Sequence, residues 1–178
     1  MKILHKTKYL ELRENNGWVY AHRGNAGSIV IIIPVIKNEE ILFLKTKRPP
    51  LISEGHKGFN IELPAGLVGD IYKDEKIVES AKRELLEETG LVAEKIEILT
   101  EKLTSSAGLT DEMSSVLLAK IENEAEKMKP VDDNGVIQER IKVKIKDIPS
   151  WLKNEEKIGN TIGAQTLSAL FLFLCENK

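Results

Sequence analysis

The chain is short of several things, and each shortage narrows what it can be. Cys175 is its only cysteine. An intramolecular disulfide is therefore excluded, and a reducing compartment, the cytoplasm, is expected. The start, Met1 to Lys6, has no apolar run of the kind a signal peptide carries. The most apolar stretches, Ile29–Ile33 and Leu170–Leu174, are too short to span a bilayer, so no membrane partner is expected. The three histidines, His5, His22 and His56, fit no metal-ligand spacing and read as surface residues. The net charge of −2 supplies no basic stripe, so no nucleic-acid partner is expected and an RNA-directed activity is disfavoured. There is no internal repeat and no low-complexity linker.

What is present is an ordinary globular composition, 42% apolar and 30% charged over 178 residues. That suffices for one domain, residues 1–178, with a sizeable core. Lys greatly outnumbers Arg, so Arg13, Arg23, Arg48, Arg83 and Arg140 merit individual inspection.

Residues 2–22 alternate as two strands around the turn Glu14–Gly17. Ser28–Ile36 is a nearly continuous β-branched run, the pattern of a strand buried on both faces. A turn at Lys37–Glu39 leads to a strand over Glu40–Lys47, and Asn60–Leu63 reads as a short strand ending at Pro64-Ala65-Gly66. Lys73–Thr89 contains good helix formers and neither Gly nor Pro. Strands follow at Ala93–Leu103, Met113–Glu122 and Glu139–Lys146, with a polar loop over Pro130–Gln138 that carries Asp132, Asp133 and Asn134. Helices are expected at Ile148–Lys157 and Thr161–Leu174. Strands flanking two or three helices give an α+β sandwich.

The chemistry concentrates between Gly69 and Leu91. Here Glu75, the pair Arg83-Glu84, the pair Glu87-Glu88 and Gly90 stand at fixed distances from Gly69. Seven specified residues plus two apolar ones occur by chance roughly once in 10⁹ start positions, which makes this a strong motif. On a helix, Ile77, Val78, Ala81 and Leu85 form one apolar stripe. Glu84, Glu87 and Glu88 fall at i, i+3 and i+4 on another face, where their carboxylates converge. Arg83 lies one turn from Glu87 and can pair with it. Adjacent carboxylates repel one another, and a cation among them relieves the repulsion. Such a cation also neutralises a diphosphate and lowers the pKa of a bound water. A generic acidic helix would present the same charges as a solvated face, but the complete spacing, with a loop glycine before and a stop glycine after, argues for a site.

That spacing is the Nudix box, and with its surroundings the chain resembles the ADP-ribose pyrophosphatase branch of the Nudix hydrolases over roughly residues 17–175. The other segments carrying the resemblance are Trp18–Arg23, Lys47–Pro50, Ile61–Leu67 and Ser105–Glu112. Ala107 departs from the branch, which usually has Pro after the serines. The resemblance implies an α/β/α Nudix sandwich with an N-terminal antiparallel sheet extension. It implies a homodimer in which the strands within residues 1–36 exchange between subunits. It implies a divalent cofactor, Mg²⁺ with Mn²⁺ as the alternative, held by Glu84, Glu88 and the carbonyl of Ala65. Glu87 matches the remaining box acid, Arg83 the box arginine beside the catalytic acids, and Glu139 a glutamate acting as general base or ordering the metals; for Glu139 a solvent-facing strand residue is the alternative.

For the substrate, the resemblance matches Trp18 to an aromatic that stacks on a base, which suits its flat face; a core Trp is the alternative. Arg23 and Arg48 match residues that hold phosphates or the terminal ribose, as a planar guanidinium can; surface ion pairs are the alternative. Glu62 and Leu67 match positions at the substrate. Ser106, Gly108 and Glu112 line a loop approaching the distal ribose. The implied reaction is hydrolysis of ADP-ribose to AMP and ribose 5-phosphate. Two alternatives stand beside it: the same chemistry on a GDP- or UDP-sugar, and a nucleotide-sugar-binding regulator without turnover. The retention of Glu84, Glu87 and Glu88 argues for the enzyme.

Overall fold

Three strands of the centre are apolar on both sides, and the architecture follows from that. The computed structural model describes residues 1–124, 130 and 135–176; the expected loop residues Asp132, Asp133 and Asn134 lie outside them. Strand β4 (Ser28–Ile36) pairs antiparallel with β5 (Glu40–Thr46) and in parallel with β9 (Met113–Ile121). Alternate residues of these strands face opposite sides. Ile31, Ile33, Phe43, Val116 and Leu118 enter one core cluster, and Val30, Ile32, Leu44, Leu117 and Ala119 enter a second. Each such fully buried side chain contributes roughly 1.5–3 kcal/mol of transfer free energy. The first cluster is closed by Ile148 and Leu152 of α3 (Ile148–Lys157) and by Ala169, Leu170 and Phe173 of α4 (Ala164–Glu176). The second is closed by Ala81 and Leu85 of α2 (Ile77–Thr89). The result is the expected α/β/α sandwich.

The mixed sheet runs β11 (Thr161–Ile162), β6 (Asn60–Glu62), β5, β4, β9, β8 (Lys95–Thr104). Two further strands attach to it: β7 (Ala65–Val68) pairs with β4, and β10 (Ile137–Lys144) pairs with β5. The β4–β5 hairpin turns through the three residues 37–39, with Lys37 and Asn38 both at positive φ (49° and 57°), as the central residues of a primed turn are.

Residues 2–22 form three strands rather than two: β1 (Lys2–Lys6), β2 (Leu10–Asn15) and β3 (Trp18–Arg23), a separate antiparallel sheet. The extra break falls at Thr7, whose hydroxyl and amide both donate to the Leu10 carbonyl. The expected turn at Asn16-Gly17 joins β2 to β3. The helix expected over Thr161–Leu174 begins at Ala164 instead, because Thr161 and Ile162 pair with β6 as strand β11. Two further elements were not expected from the sequence. Helix α1 (Pro49–Ser53) starts on two prolines, which suit a first helical turn. Strand β7 replaces the loop expected after Pro64. Helix α2 begins at Ile77 instead of Lys73, because Glu75 is drawn back onto Arg83 and cannot continue the helix outward.

Candidate functional site

Strand β7 and helix α2 are bolted together, and the bolt is Arg83. Its Nε and Nη2 donate to the two carboxylate oxygens of Glu75 at 2.9 and 3.0 Å. Nη1 donates to Glu84 at 2.7 Å and to Glu87 at 3.2 Å, and Nη2 also reaches the Leu67 carbonyl at 3.1 Å. Ser80, one turn earlier, donates to the same carbonyl at 3.1 Å. The Glu75-to-Arg83 spacing of the box is thus a bidentate ion pair folding the loop after Gly69 back over the helix. Gly69 turns at φ +82°, and Gly90 ends the helix in the left-handed region at φ +75°.

Electrostatics follow from this packing. The hydrogen bonds from Arg83 hold the Glu75 carboxyl below its ordinary value. Glu75 in turn is the main reason the Arg83 pKa is raised. Burial pushes the Glu84 carboxyl up to about 7; Arg83 opposes the shift, and Glu87 and Asp70 add to it. Glu84 lies directly over the backbone of β7: a Cβ added to Gly66 would stand 1.8 Å from its carboxyl carbon. Glu88 accepts a hydrogen bond from the Ala65 amide at 3.0 Å.

Glu84, Glu87 and Glu88 floor a cavity of about 830 Å³. Ala65, Leu67, Glu84, Glu87 and Glu88 line it, together with Arg23, Arg48 and Glu62. Arg48 donates through Nε to Glu62 at 2.9 Å. Arg23 donates through Nε to Glu112 at 2.7 Å. Both arginines therefore carry the ion pair that was the alternative to a ligand role, and both still face the cavity.

Other expected site residues stand elsewhere. Arg83 is absent from the cavity wall; it stands behind Glu84 and Glu87 and positions them. Trp18 is 62% exposed, so it is not a core residue, and it lies outside the cavity; its Nε1–H donates to the Gly108 carbonyl at 3.1 Å. Ser106 and Gly108 sit on the same exposed turn, away from the cavity wall. Glu112 lines a smaller pocket of about 180 Å³ with His22, Arg23 and Asp111. Glu139 stands on β10, more than half exposed, with its carboxylate 3.6 Å from Lys45 and outside the cavity lining. His22 is not a free surface residue: it pairs with Asp111 at 2.8 Å.

The cavity also contains residues the sequence reading missed. Asp70 follows the box glycine and approaches Arg83 at 3.5 Å. Asn60 comes from β6, Gly163 immediately precedes α4, and Gln165 and Thr166 come from its first turn. Asp70 was findable from its place in the box. Gln165 and Thr166 carry no local signal, because only the packing of α4 across the sheet brings them to the site.

As the side chains stand, no three of Asp, Glu, His and Cys among the described residues are grouped to hold an ion. Arg83 already provides the positive charge between Glu84 and Glu87. The donor chemistry nevertheless fits a hard divalent cation, since Glu84, Glu87 and Glu88 bring carboxylate oxygens to one cavity, which Ala65 also lines.

Comparison with known proteins bears on the fold and the family. No curated protein matches the chain. A solved structure described as an ADP compounds hydrolase shares the fold, with a TM-score of 0.70 at 16% identity over 97% of this chain and 88% of that one. The family profile described as NUDIX domain matches residues 27–159. Members of that family generally use divalent metal ions. With its box intact and most of its length matched, the chain belongs to the Nudix hydrolase family.

Proposed function

We propose that this protein hydrolyses the diphosphate bond of ADP-ribose, giving AMP and ribose 5-phosphate, with Mg²⁺ as cofactor and Mn²⁺ as the alternative. The observation that carries the reading is one cavity with the three box glutamates on its floor and two arginines, Arg23 and Arg48, on its walls. A diphosphate needs positive charge on its oxygens and a site for water on one phosphorus. Glu84, Glu88 and the Ala65 carbonyl are the proposed metal ligands, with Glu87 supporting them. A cation held there would neutralise the diphosphate and make a bound water a better nucleophile. Arg23 and Arg48 orient the phosphates. Glu139 is the proposed base. It must leave Lys45 to serve, and its neighbour Arg140 already ties β10 to the end of α2 by donating to the Glu88 carbonyl.

The resemblance to the ADP-ribose pyrophosphatase branch and the similar fold of the ADP compounds hydrolase both support an ADP-containing substrate. The N-terminal sheet supports a homodimer with exchanged strands. Ile3, Leu4, Tyr9, Leu10 and Val19 are all large apolar residues left exposed on it. No helix among the described residues is long and apolar enough to cross a membrane, and the lone Cys175 suits the cytoplasm.

A panel of ADP-ribose, other nucleoside diphosphate sugars and dinucleotides, assayed with Mg²⁺ and product identification, tests the proposal. The expected result is the highest kcat/KM on ADP-ribose with AMP as a product. Preference for a GDP- or UDP-sugar overturns the substrate, and no turnover of any member overturns the reaction.

A further inference from the structure

The free edge of β3 is zipped to the segment before β9. The Trp18 indole N–H donates to the Gly108 carbonyl. The Ala21 amide donates to the Leu109 carbonyl at 2.8 Å, and Ala21 forms a parallel bridge with Thr110. The backbone pairing then stops, but its register continues in side chains. His22 pairs with Asp111 at 2.8 Å, and Arg23 pairs with Glu112 at 2.7 Å. Thr110 helps fix this stretch, its hydroxyl accepting from the Glu112 amide at 3.2 Å.

Arg23 is the point of the zipper. It lines both the main cavity and the smaller pocket beside it, so its side chain forms part of the wall between them. Among the described residues its hydrogen-bond partner is Glu112, through Nε. The two Nη groups remain for a ligand. A long, half-exposed side chain loses rotamer entropy when held in one place, so something must hold its backbone as well as its Nε.

We infer that His22 and Asp111 are positioning residues for Arg23: their pair clamps β3 onto the 108–112 segment and so sets the Arg23 fork against the diphosphate. The inference rests on the proposed role of Arg23 as a phosphate contact. Neither His22 nor Asp111 lines the main cavity, so neither is a catalytic residue. Nothing in the spacing of the histidines suggested this role; it appears only when residues 89 positions apart meet.

The test uses full-length protein and the variants H22A, D111A, R23A and H22A/R23A. Ligand affinity is read as KM for ADP-ribose and, independently, as Kd for inorganic pyrophosphate with Mg²⁺. Hydrogen exchange at the Ala21 amide reports the clamp without any ligand. H22A and D111A are expected to speed Ala21 exchange and to raise KM and Kd about tenfold, the loss of roughly one well-oriented charged hydrogen bond, with kcat within about twofold. H22A/R23A is expected to be no weaker than R23A alone, since the histidine acts through the arginine. Faster Ala21 exchange with unchanged Kd would reduce the pair to a structural staple and overturn the inference. So would a double variant clearly weaker than R23A. Should the wild type bind pyrophosphate but leave ADP-ribose intact, the substrate proposal fails while the pyrophosphate arm still decides the clamp.

Discussion

Two arginines, Arg83 in the box helix and Arg23 at the edge of β3, are both held by glutamate, and the difference between them separates a scaffold arginine from a proposed ligand contact. Arg83 is saturated: three acids and a carbonyl take its donors, and its main partner Glu75 is 6% exposed. Arg23 is held at one nitrogen by a partner on a loop, and its side chain remains 36% exposed. A guanidinium with every donor committed organises other groups. One with an uncommitted fork facing a cavity can take a phosphate. The residue type alone does not distinguish these cases; the count of its partners does.

The sharpest way to break this comparison is to remove each arginine. Arg83→Ala strands the buried Glu75 carboxylate and frees Glu84 and Glu87 to repel each other. The expected cost is about 3–5 kcal/mol of stability, read from the urea midpoint. Arg23→Ala removes a half-exposed pair and is expected to cost at most about 1 kcal/mol while weakening substrate binding. If the two stabilities proved equal, the distinction drawn from partner counts would be wrong.

Within the floor itself, Glu84→Gln or Glu88→Gln keeps shape and removes an anionic oxygen. Each is expected to lower kcat by at least ~10²-fold, about 2.7 kcal/mol of barrier, with the fold intact. Glu139→Gln is expected to lower kcat more than it raises KM. Near-normal turnover in both floor variants at saturating Mg²⁺ would remove the metal assignment, and a pure KM effect in the third would remove the base.

Much of this was legible in the chain. The three central strands announced themselves because each is buried on both faces, which leaves an unbroken apolar run in β4. The box was legible because its chemistry fixes residue types at fixed distances along one loop and helix. What failed to show was whatever depends on contacts made across the fold. The start of α2 moved to Ile77 because Glu75 binds Arg83, against the helix propensity of residues 73–76. Strand β7 was hidden by Pro64 and Gly66, and Gly66 is needed so that Glu84 can cross the backbone. Gln165 and Thr166 reach the cavity through the packing of α4, and His22 meets Asp111 through the docking of one sheet edge on a loop. No local pattern encodes either meeting.

Glu84 provides a subtler contrast, between the metal-free and metal-bound floor. Its carboxyl sits at about 7 in the folded chain against an ordinary value of 4.5. Raised in this way, it favours the fold most fully below pH 4.5, and that contribution is lost as pH rises through 7. In chelator, the melting temperature of the wild type relative to Glu84→Gln is therefore expected to fall across that window and then level off. Added Mg²⁺ should reverse the trend above pH 7, because the metal binds the carboxylate form. A wild-type-minus-variant difference that is flat from pH 4 to 8 in chelator would show that burial of Glu84 has been misread.

Trp18 gives the smallest expected effect on stability and the one that reaches beyond a single chain. It is 62% exposed and tied to its own Gly108 by one hydrogen bond, so Trp18→Ala should leave the melting temperature nearly unchanged. A core tryptophan would cost about 3–5 kcal/mol. If Trp18 stacks on the base, its loss removes about 1–3 kcal/mol, seen as a 5- to 150-fold rise in KM with the products unchanged. Its absence from the cavity wall of its own chain fits a role in a partner's cavity, which the exchanged-strand dimer would require. Mixing decides this. Trp18→Ala and Glu84→Gln proteins, each weak alone, would form mixed dimers in which one site has a sound floor and a sound tryptophan. About a quarter of wild-type sites should then recover low-KM activity. If the mixture shows only the sum of its two parts, Trp18 serves its own chain or none, and the exchanged dimer loses its functional argument.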